Sequence, residues 1–262
     1  MCRAYLAGLV NLLIYTILAL LTVLPHCQKA APTTVPPAPP RVAANQPDEV
    51  LLADGRPATH LAFPAIFEAA FRPGTTVRQD SLLLHCRPLA LGRLRSETGK
   101  LVAGDPLTLE GRPAFTQRFP LGEFAVQLAL VRYAQSERVG FVQVVFDTAH
   151  VARWQLALLP GQPPLALRDS SFYCYGVDGG IAAILDSAAN RQLAQLAPTI
   201  QNQAFFDAAA QPGYAGYLYR FGGHNLATFA TGLGDGCYPT YLGFSTTGQV
   251  CRLLTDFRMV NW

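Results

Sequence analysis

Phe124, Val126, Leu128 and Leu130 fall on one face of an extended chain, and Ala125, Gln127 and Ala129 on the other. This period-two alternation predicts a strand with one face on a core, entered through a turn at residues 119–123. Residues 139–146 are apolar on both faces except at Gln143, the pattern of a central strand covered from both sides. Residues 154–159 alternate and stop at Pro160-Gly161, and residues 217–221 and 226–231 read as further strands. Residues 172–178 and 179–186 predict another strand pair. Near the C-terminus two strand-like runs flank Ser245-Thr-Thr-Gly248, which predicts a β-hairpin across residues 234–257. Gly234 and Gly236 bracket Asp235; both permit backbone angles closed to other residues, so the hairpin entry is expected to be a tight turn shaped by that aspartate and presenting its carboxylate.

The period changes after Asp186. Residues 187–196 favour helix, with Asp186 or Ser187 able to cap its free amides, and Pro198 ends the run. Residues 203–211 predict a second short helix stopped by Pro212-Gly213, and a third short helix is expected after Pro64. The pattern as a whole predicts an α+β domain, mainly antiparallel β in sandwich-like sheets, with a short helical insertion at about 187–210.

The first thirty residues follow a different logic. No charged side chain occurs between Ala4 and Pro25, and about 20 apolar residues suffice to cross the hydrocarbon core of a bilayer as a helix. Residues 1–29 therefore read as a transmembrane or signal helix. A cleaved signal fits poorly, since Gln28 or Lys29 would stand where a small residue belongs. A lipoprotein attached through Cys27 is the second choice, because proline and histidine fill the Leu24-Pro-His-Cys27 box. An uncleaved anchor needs neither feature and is preferred, with the domain expected on the extracytoplasmic side. Residues 30–47, including Val35-Pro-Pro-Ala-Pro-Pro40, are a semi-rigid proline/alanine spacer. Residues 48–262 form a single β-rich domain with a lead-in to about 88.

The bulk numbers restrict the partners. The chain has 262 residues, a net charge of +3 and no run of Lys or Arg, which argues against a nucleic-acid binder. The 20 prolines and 22 glycines fit many turns and short strands. Four cysteines fall in the domain: Cys86, Cys174, Cys237 and Cys251. Two disulfides would allow three pairings. The competing reading is buried free thiols, which suits Cys174 and Cys251 in strand-like runs and leaves Cys237 as the reactive one. No Cys/His spacing of a structural zinc site is present.

Several segments, taken in order, resemble the bacterial DUF4241 family over roughly residues 89–257. They are Ser96-Glu-Thr-Gly-Lys100 between two short strands, the Asp105-Pro106 turn, Tyr175-Gly-Val-Asp178 followed by a strand ending at Asp186, and Gly232-Leu-Gly-Asp-Gly-Cys-Tyr-Pro-Thr-Tyr-Leu-Gly-Phe244. The resemblance implies a family and a fold type but no activity. Members look mostly cytoplasmic, so it implies no disulfide design either.

The candidate functional surface is drawn from residues at turns and strand ends: Asp178, Asp235, Tyr238, Tyr241, Glu123 and His224. Convergence of Asp178, Asp235 and Glu123 would suit a hard divalent cation, or an acid–base pair for hydrolysis. Each carboxylate also has a simpler role as a turn cap, Asp105 and Asp186 above all. His224, between Gly223 and Asn225, is a candidate general base. Tyr173, Tyr175, Tyr214, Tyr217 and Tyr219 join Tyr238 and Tyr241 as half-buried strand residues or a recognition surface. No nucleophile elbow, phosphate-cradling loop, dinucleotide fingerprint or metalloprotease helix occurs, and no cofactor or metal is expected. A membrane-tethered binding or interaction module, with a protein partner, is the preferred reading. The alternatives are a carboxylate-dependent, metal-assisted hydrolase and an immunity-type inhibitor of a toxin.

Overall fold

The computed structural model describes residues 64–79, 82–133, 135–167, 172–207 and 209–260. The N-terminal apolar stretch and the proline spacer lie outside the described residues. Among the described residues no helix is long and apolar enough to cross a membrane.

Among the described residues, thirteen strands build two large antiparallel sheets and a small ribbon. The larger sheet has the order β1-β2-β4-β5-β13-β12-β6: β1 is Thr76–Gln79, β2 Leu82–Ser96, β4 Gly122–Tyr133, β5 Ser136–Val145, β6 Arg153–Leu156, β12 Thr240–Phe244 and β13 Val250–Asp256. The second sheet is β3-β8-β10-β9, with β3 at Leu101–Gly104, β8 at Ile181–Asp186, β9 at Gly216–Phe221 and β10 at His224–Ala230. The ribbon pairs β7, Tyr175–Val177, with β11, Gly236–Tyr238.

The alternation in β4 places its side chains. Val126, Leu128 and Leu130 enter a core between the two sheets, with Val142, Val144 and Leu253 of the larger sheet and Ile184, Ala227 and Phe229 of the smaller. Ala129 and Val131 enter a second core on the outer face. There Phe67 of helix α1, Pro64–Ala69, fully buried, stacks on Trp154, Tyr241 and Phe141 at centroid distances of 5.0, 4.8 and 6.0 Å. A third core lies beyond the smaller sheet, where Val102, Ala183, Leu185 and Leu226 meet Ala189 and Leu193 of α2, Ser187–Leu193, and Phe205. Each buried aliphatic or aromatic side chain stabilises the fold by about 1.5–3 kcal/mol, and sheets covered on both faces explain why β8, β12 and β13 are apolar almost throughout.

Two of the three register shifts in the larger sheet shape this framework. The β4–β5 register pairs Ala129 with Phe141 and Leu130 with Val139, leaving Gly140 as the extra residue. A Cβ there would sit 2.5 Å from Val131 Cγ2, so only glycine fits. The bulge turns Phe141 outward while Val139 and Val142 both face the inter-sheet core. A second register shift, between Ala90 and Gly92 of β2, bends that long strand so that its end reaches the smaller sheet. There buried Asn225 of β10 accepts from Arg95 N and donates to Arg93 O, both at 2.8 Å, standing in for a missing neighbour strand.

The mainly antiparallel fold, the central position of β5, the hairpin β12–β13 and the helix after Asp186 match the sequence reading. Three details differ. The segments at 172–178 and 179–186 are not partners: β7 pairs with β11, and β8 lies between β3 and β10. The strand before the Ser96–Lys100 turn, expected to be short, is the 15-residue β2. The second helical run begins earlier, as α3, Pro198–Asn202, followed by one π-helical turn at Gln203–Asp207.

Candidate functional site

The ribbon β7–β11 is the part of the fold that brings sequence-predicted site residues together. Cys174 and Cys237 form a disulfide with a Cα–Cα distance of 5.4 Å, closing a span of 63 residues. The strand-like setting of Cys174 suggested a buried thiol, but pairing β7 against β11 sets Cys237 opposite Gly176, beside Cys174. Cys86 and Cys251 remain free and buried. Burial pushes the Cys86 thiol up to about 11, which keeps it protonated and inert at neutral pH.

Asp235 is exposed, and its Oδ1 accepts from Gly180 N at 3.1 Å. It therefore ties the turn at 178–180 to the turn at 234–235 instead of shaping only its own. Asp178, also exposed, donates its backbone N–H to Asp105 Oδ2 at 2.7 Å. Buried Asp105 accepts from Leu107 N as well, at 2.7 Å, capping a 3₁₀ turn at Pro106–Thr108. The Asp178 and Asp235 turns are thus neighbours, held through backbone amides.

The other predicted residues sit elsewhere or point inward. Tyr238 is buried between the sheets, its hydroxyl 2.6 Å from Gly234 O and 3.1 Å from Thr231 O, and burial raises its pKa. It closes the 231–234 turn from beneath. Tyr238→Phe removes that donor and is expected to cost about 1 kcal/mol, because Thr231 Oγ1 still donates to Gly234 O at 2.7 Å; thermal denaturation checks this as a drop in Tm of about 2–4 °C. Tyr241, three residues on, is in the outer core against Phe67, where burial raises its pKa. Tyr241 offers no surface, and Tyr238 offers only a wall of the adjoining cleft. Glu123 opens β4 opposite Arg95, and its carbonyl accepts from Arg93 Nη2 at 2.5 Å. His224 Nδ1 lies 2.5 Å from Glu97 Oε1, which is 3.5 Å from Arg95 Nε; this chain of contacts pins the β9–β10 turn to the β2–β3 turn.

Among the described residues, no group of three or more His, Cys, Asp and Glu side chains is placed to hold a metal ion. Asp178, Asp235 and Glu123 do not make the cation site that their convergence would have made. Asp186 is a structural group: fully buried, it accepts from the N–H groups of Ala188, Glu97 and Thr98 and from Thr98 Oγ1, all within 2.8–3.0 Å.

Beside the ribbon opens a cleft of about 20 Å³, lined by Arg112, Phe115, Gln162, Tyr175, Tyr238 and Thr240 among others, roughly the space of one water-sized sphere at its floor. Sequence reading did not reach Arg112, Gln162 or Thr240. Arg112 Cζ lies 5.8 Å from the Tyr175 ring centroid. A Cβ at Gly104 would stand 3.0 Å from both Cδ and Nε of Arg112, so the glycine of Gly104-Asp-Pro gives this side chain its room. Buried Arg112 Nε and Tyr175 Oη have no hydrogen-bond partner. The Thr255 hydroxyl beside Tyr175 is bonded to Thr240 Oγ1 at 2.9 Å, and its nearness opposes the rise that burial gives the Tyr175 pKa. Burial lowers the Arg112 pKa and raises that of Tyr175, so both groups pay for their position in lost hydration. The only available signal for Arg112 was a basic residue in the short Gly111-Arg-Pro113 turn.

Comparison with curated proteins and with solved structures found no match. The family model for DUF4241, a protein family of unknown function, matches residues 94–255, well over half of the chain. The segments that carry the resemblance are the ones that build the two sheets, the ribbon and its turns, and the chain belongs to the DUF4241 family.

Proposed function

We propose that this DUF4241 domain is a binding module, held at a membrane by its N-terminal segment on the extracytoplasmic side, and that it meets a protein partner through the ribbon β7–β11 and the turns beside it. One observation carries the reading: a disulfide-locked ribbon presents exposed Gly176, Asp178 and Asp235 next to a cleft that holds unpartnered polar atoms. The carboxylates nearby support binding over catalysis, since Asp105 and Asp235 are engaged by backbone amides. The Cys174–Cys237 bridge supports an oxidising compartment, and the uncharged stretch from Ala4 to Pro25 supports the membrane.

Gly176 provides a clean test. It is exposed, and a Cβ built on it meets nothing within 4 Å, so Gly176→Arg adds bulk and charge to the surface without strain in the fold. The full-length protein, purified from membranes with its N-terminal segment intact, is expected to bring down a partner near stoichiometric ratio. Gly176→Arg should reduce that recovery at least tenfold while leaving Tm within about 1 °C, as surface substitutions do. Equal recovery with the variant would place the binding surface elsewhere, and hydrolytic turnover with no partner would overturn the binding reading.

A further inference from the structure

We infer that the cleft walled by Arg112, Tyr175 and Cys174 is a recognition site for a carboxylate group. The inference rests on the binding reading above and specifies its chemistry.

Among the described residues, three buried side-chain polar atoms lack a hydrogen-bond partner: Ser96 Oγ, Arg112 Nε and Tyr175 Oη. Two of the three belong to this one cleft. Such groups are rare in folded proteins because each one forfeits its hydration without replacement. Tyr175 is 3 % exposed, so its hydroxyl cannot swing out to solvent. Arg112 is a pure donor, and the Tyr175 hydroxyl is free to donate. The complementary group is therefore an acceptor, and because the guanidinium is charged it is an anion.

Shape narrows the class. The guanidinium is a planar fork that meets a carboxylate through two parallel N–H···O bonds. The cleft has room for about one water-sized group, which is too little for the four oxygens of a phosphate. The nearest acidic side chain of note, Asp105, already accepts from Leu107 N and Asp178 N, and no ion pair within 4.0 Å links it to Arg112 among the described residues. Phe115, Leu159 and the Tyr238 ring supply apolar walls for the carbon next to the carboxylate. The disulfide at Cys174 fixes the rim of the cleft, and a small shift of the Arg112 side chain admits the acceptor.

The test uses the full-length chain in detergent micelles at constant ionic strength. Saturation-transfer NMR on the methyl protons of acetate is the readout, with chloride and inorganic phosphate as competitors. Acetate is expected to show saturable transfer with half-saturation on the order of 1 mM, as weak as so small a ligand should be. Arg112→Gln should weaken it at least tenfold, the scale of one charge-assisted hydrogen bond. Arg112→Lys should retain part of the binding without the fork geometry, and Tyr175→Phe should weaken it about threefold to tenfold. A pair of short peptides, one with a free C-terminal carboxylate and one amidated, separates a peptide source from a free organic acid: the free form alone competes if a chain terminus is the natural occupant, and neither peptide competes if a small acid is. Absence of saturable transfer would overturn the inference. So would transfer unchanged in folded Arg112→Gln or Arg112→Lys, or displacement by chloride or phosphate as effective as by a second carboxylate. If acetate fails while Gly176→Arg still abolishes partner recovery, the carboxylate site falls and the binding module stands. If acetate binds through Arg112 while partner recovery ignores Gly176→Arg, the reverse holds.

Discussion

Asp186→Ala is expected to destabilise the domain by about 4 kcal/mol, because it strands several part-buried donors at once. The carboxylate is fully buried at the end of β8. One oxygen caps α2 through Ala188 N at 2.8 Å, and the other accepts from Glu97 N and Thr98 N at 2.9 Å each. Thr98 Oγ1 reaches both oxygens and also lies 3.0 Å from Ser187 Oγ. The side chain therefore joins the β2–β3 turn, the strand β8 and the helix that follows. Loss of an N-cap costs about 1 kcal/mol, and each amide left buried without an acceptor adds about 1–3 kcal/mol. Urea denaturation of the two proteins measures the difference, which corresponds to a drop in Tm of roughly 8–16 °C for a domain of this size. Asp186→Asn keeps the volume and one acceptor oxygen, so its loss should be smaller than that of alanine yet still above 1 kcal/mol, since its amide nitrogen faces backbone N–H groups. A loss below 1 kcal/mol for alanine would mean that solvent replaces the carboxylate at this position.

The second large effect belongs to the disulfide. Replacing Cys174 and Cys237 by serine together removes a cross-link across 63 residues, worth about 4 kcal/mol if its action is on the entropy of the unfolded chain. Part of the loss should be local. The strands β7 and β11 have three residues each and pair only with one another, and so short a ribbon is marginal without support. Hydrogen exchange should therefore report faster exchange at residues 175–177 and 236–238 before the two large sheets are affected. Wild-type protein in reductant should show the same pattern. Uniform loss of protection across both sheets, with no early phase in the ribbon, would show that the bridge stabilises the fold globally and does not hold a separate element.

These two cases differ in how far the sequence foretold them. Asp186 as a helix cap was legible, since the aspartate, the break in period and the helix-forming run are adjacent. Its hold on Glu97 and Thr98 was not legible, because those amides arrive from a turn almost ninety residues earlier. Cys174 read as a strand residue because a cysteine in an apolar run looks the same whether its partner is a core methyl group or another sulfur. Pairing with Cys237 depends on β7 leaving its neighbour β8 and crossing to β11, and strands of three residues carry too little pattern to announce a partner. Along the chain Tyr238 and Tyr241 read equally as half-buried strand residues or as a recognition surface at the head of a hairpin. The structure sends Tyr238, at the end of the ribbon strand β11, into the core between the sheets, and Tyr241, in β12, into the outer core.

By itself the sequence determined the features whose causes are local: period-two alternation in β4 and β5, the turn joining β12 to β13, the caps at Asp105 and Asp186, and the order of segments that marks the DUF4241 family. The tertiary structure decided which strands are neighbours, which cysteines are bonded and which polar groups are buried without partners. Arg112 and Tyr175 are ordinary residues along the chain, 63 positions apart. Their chemistry arises only when β7 and the 109–115 loop meet, because hydration is lost through the packing of distant segments and no short stretch of sequence records that loss.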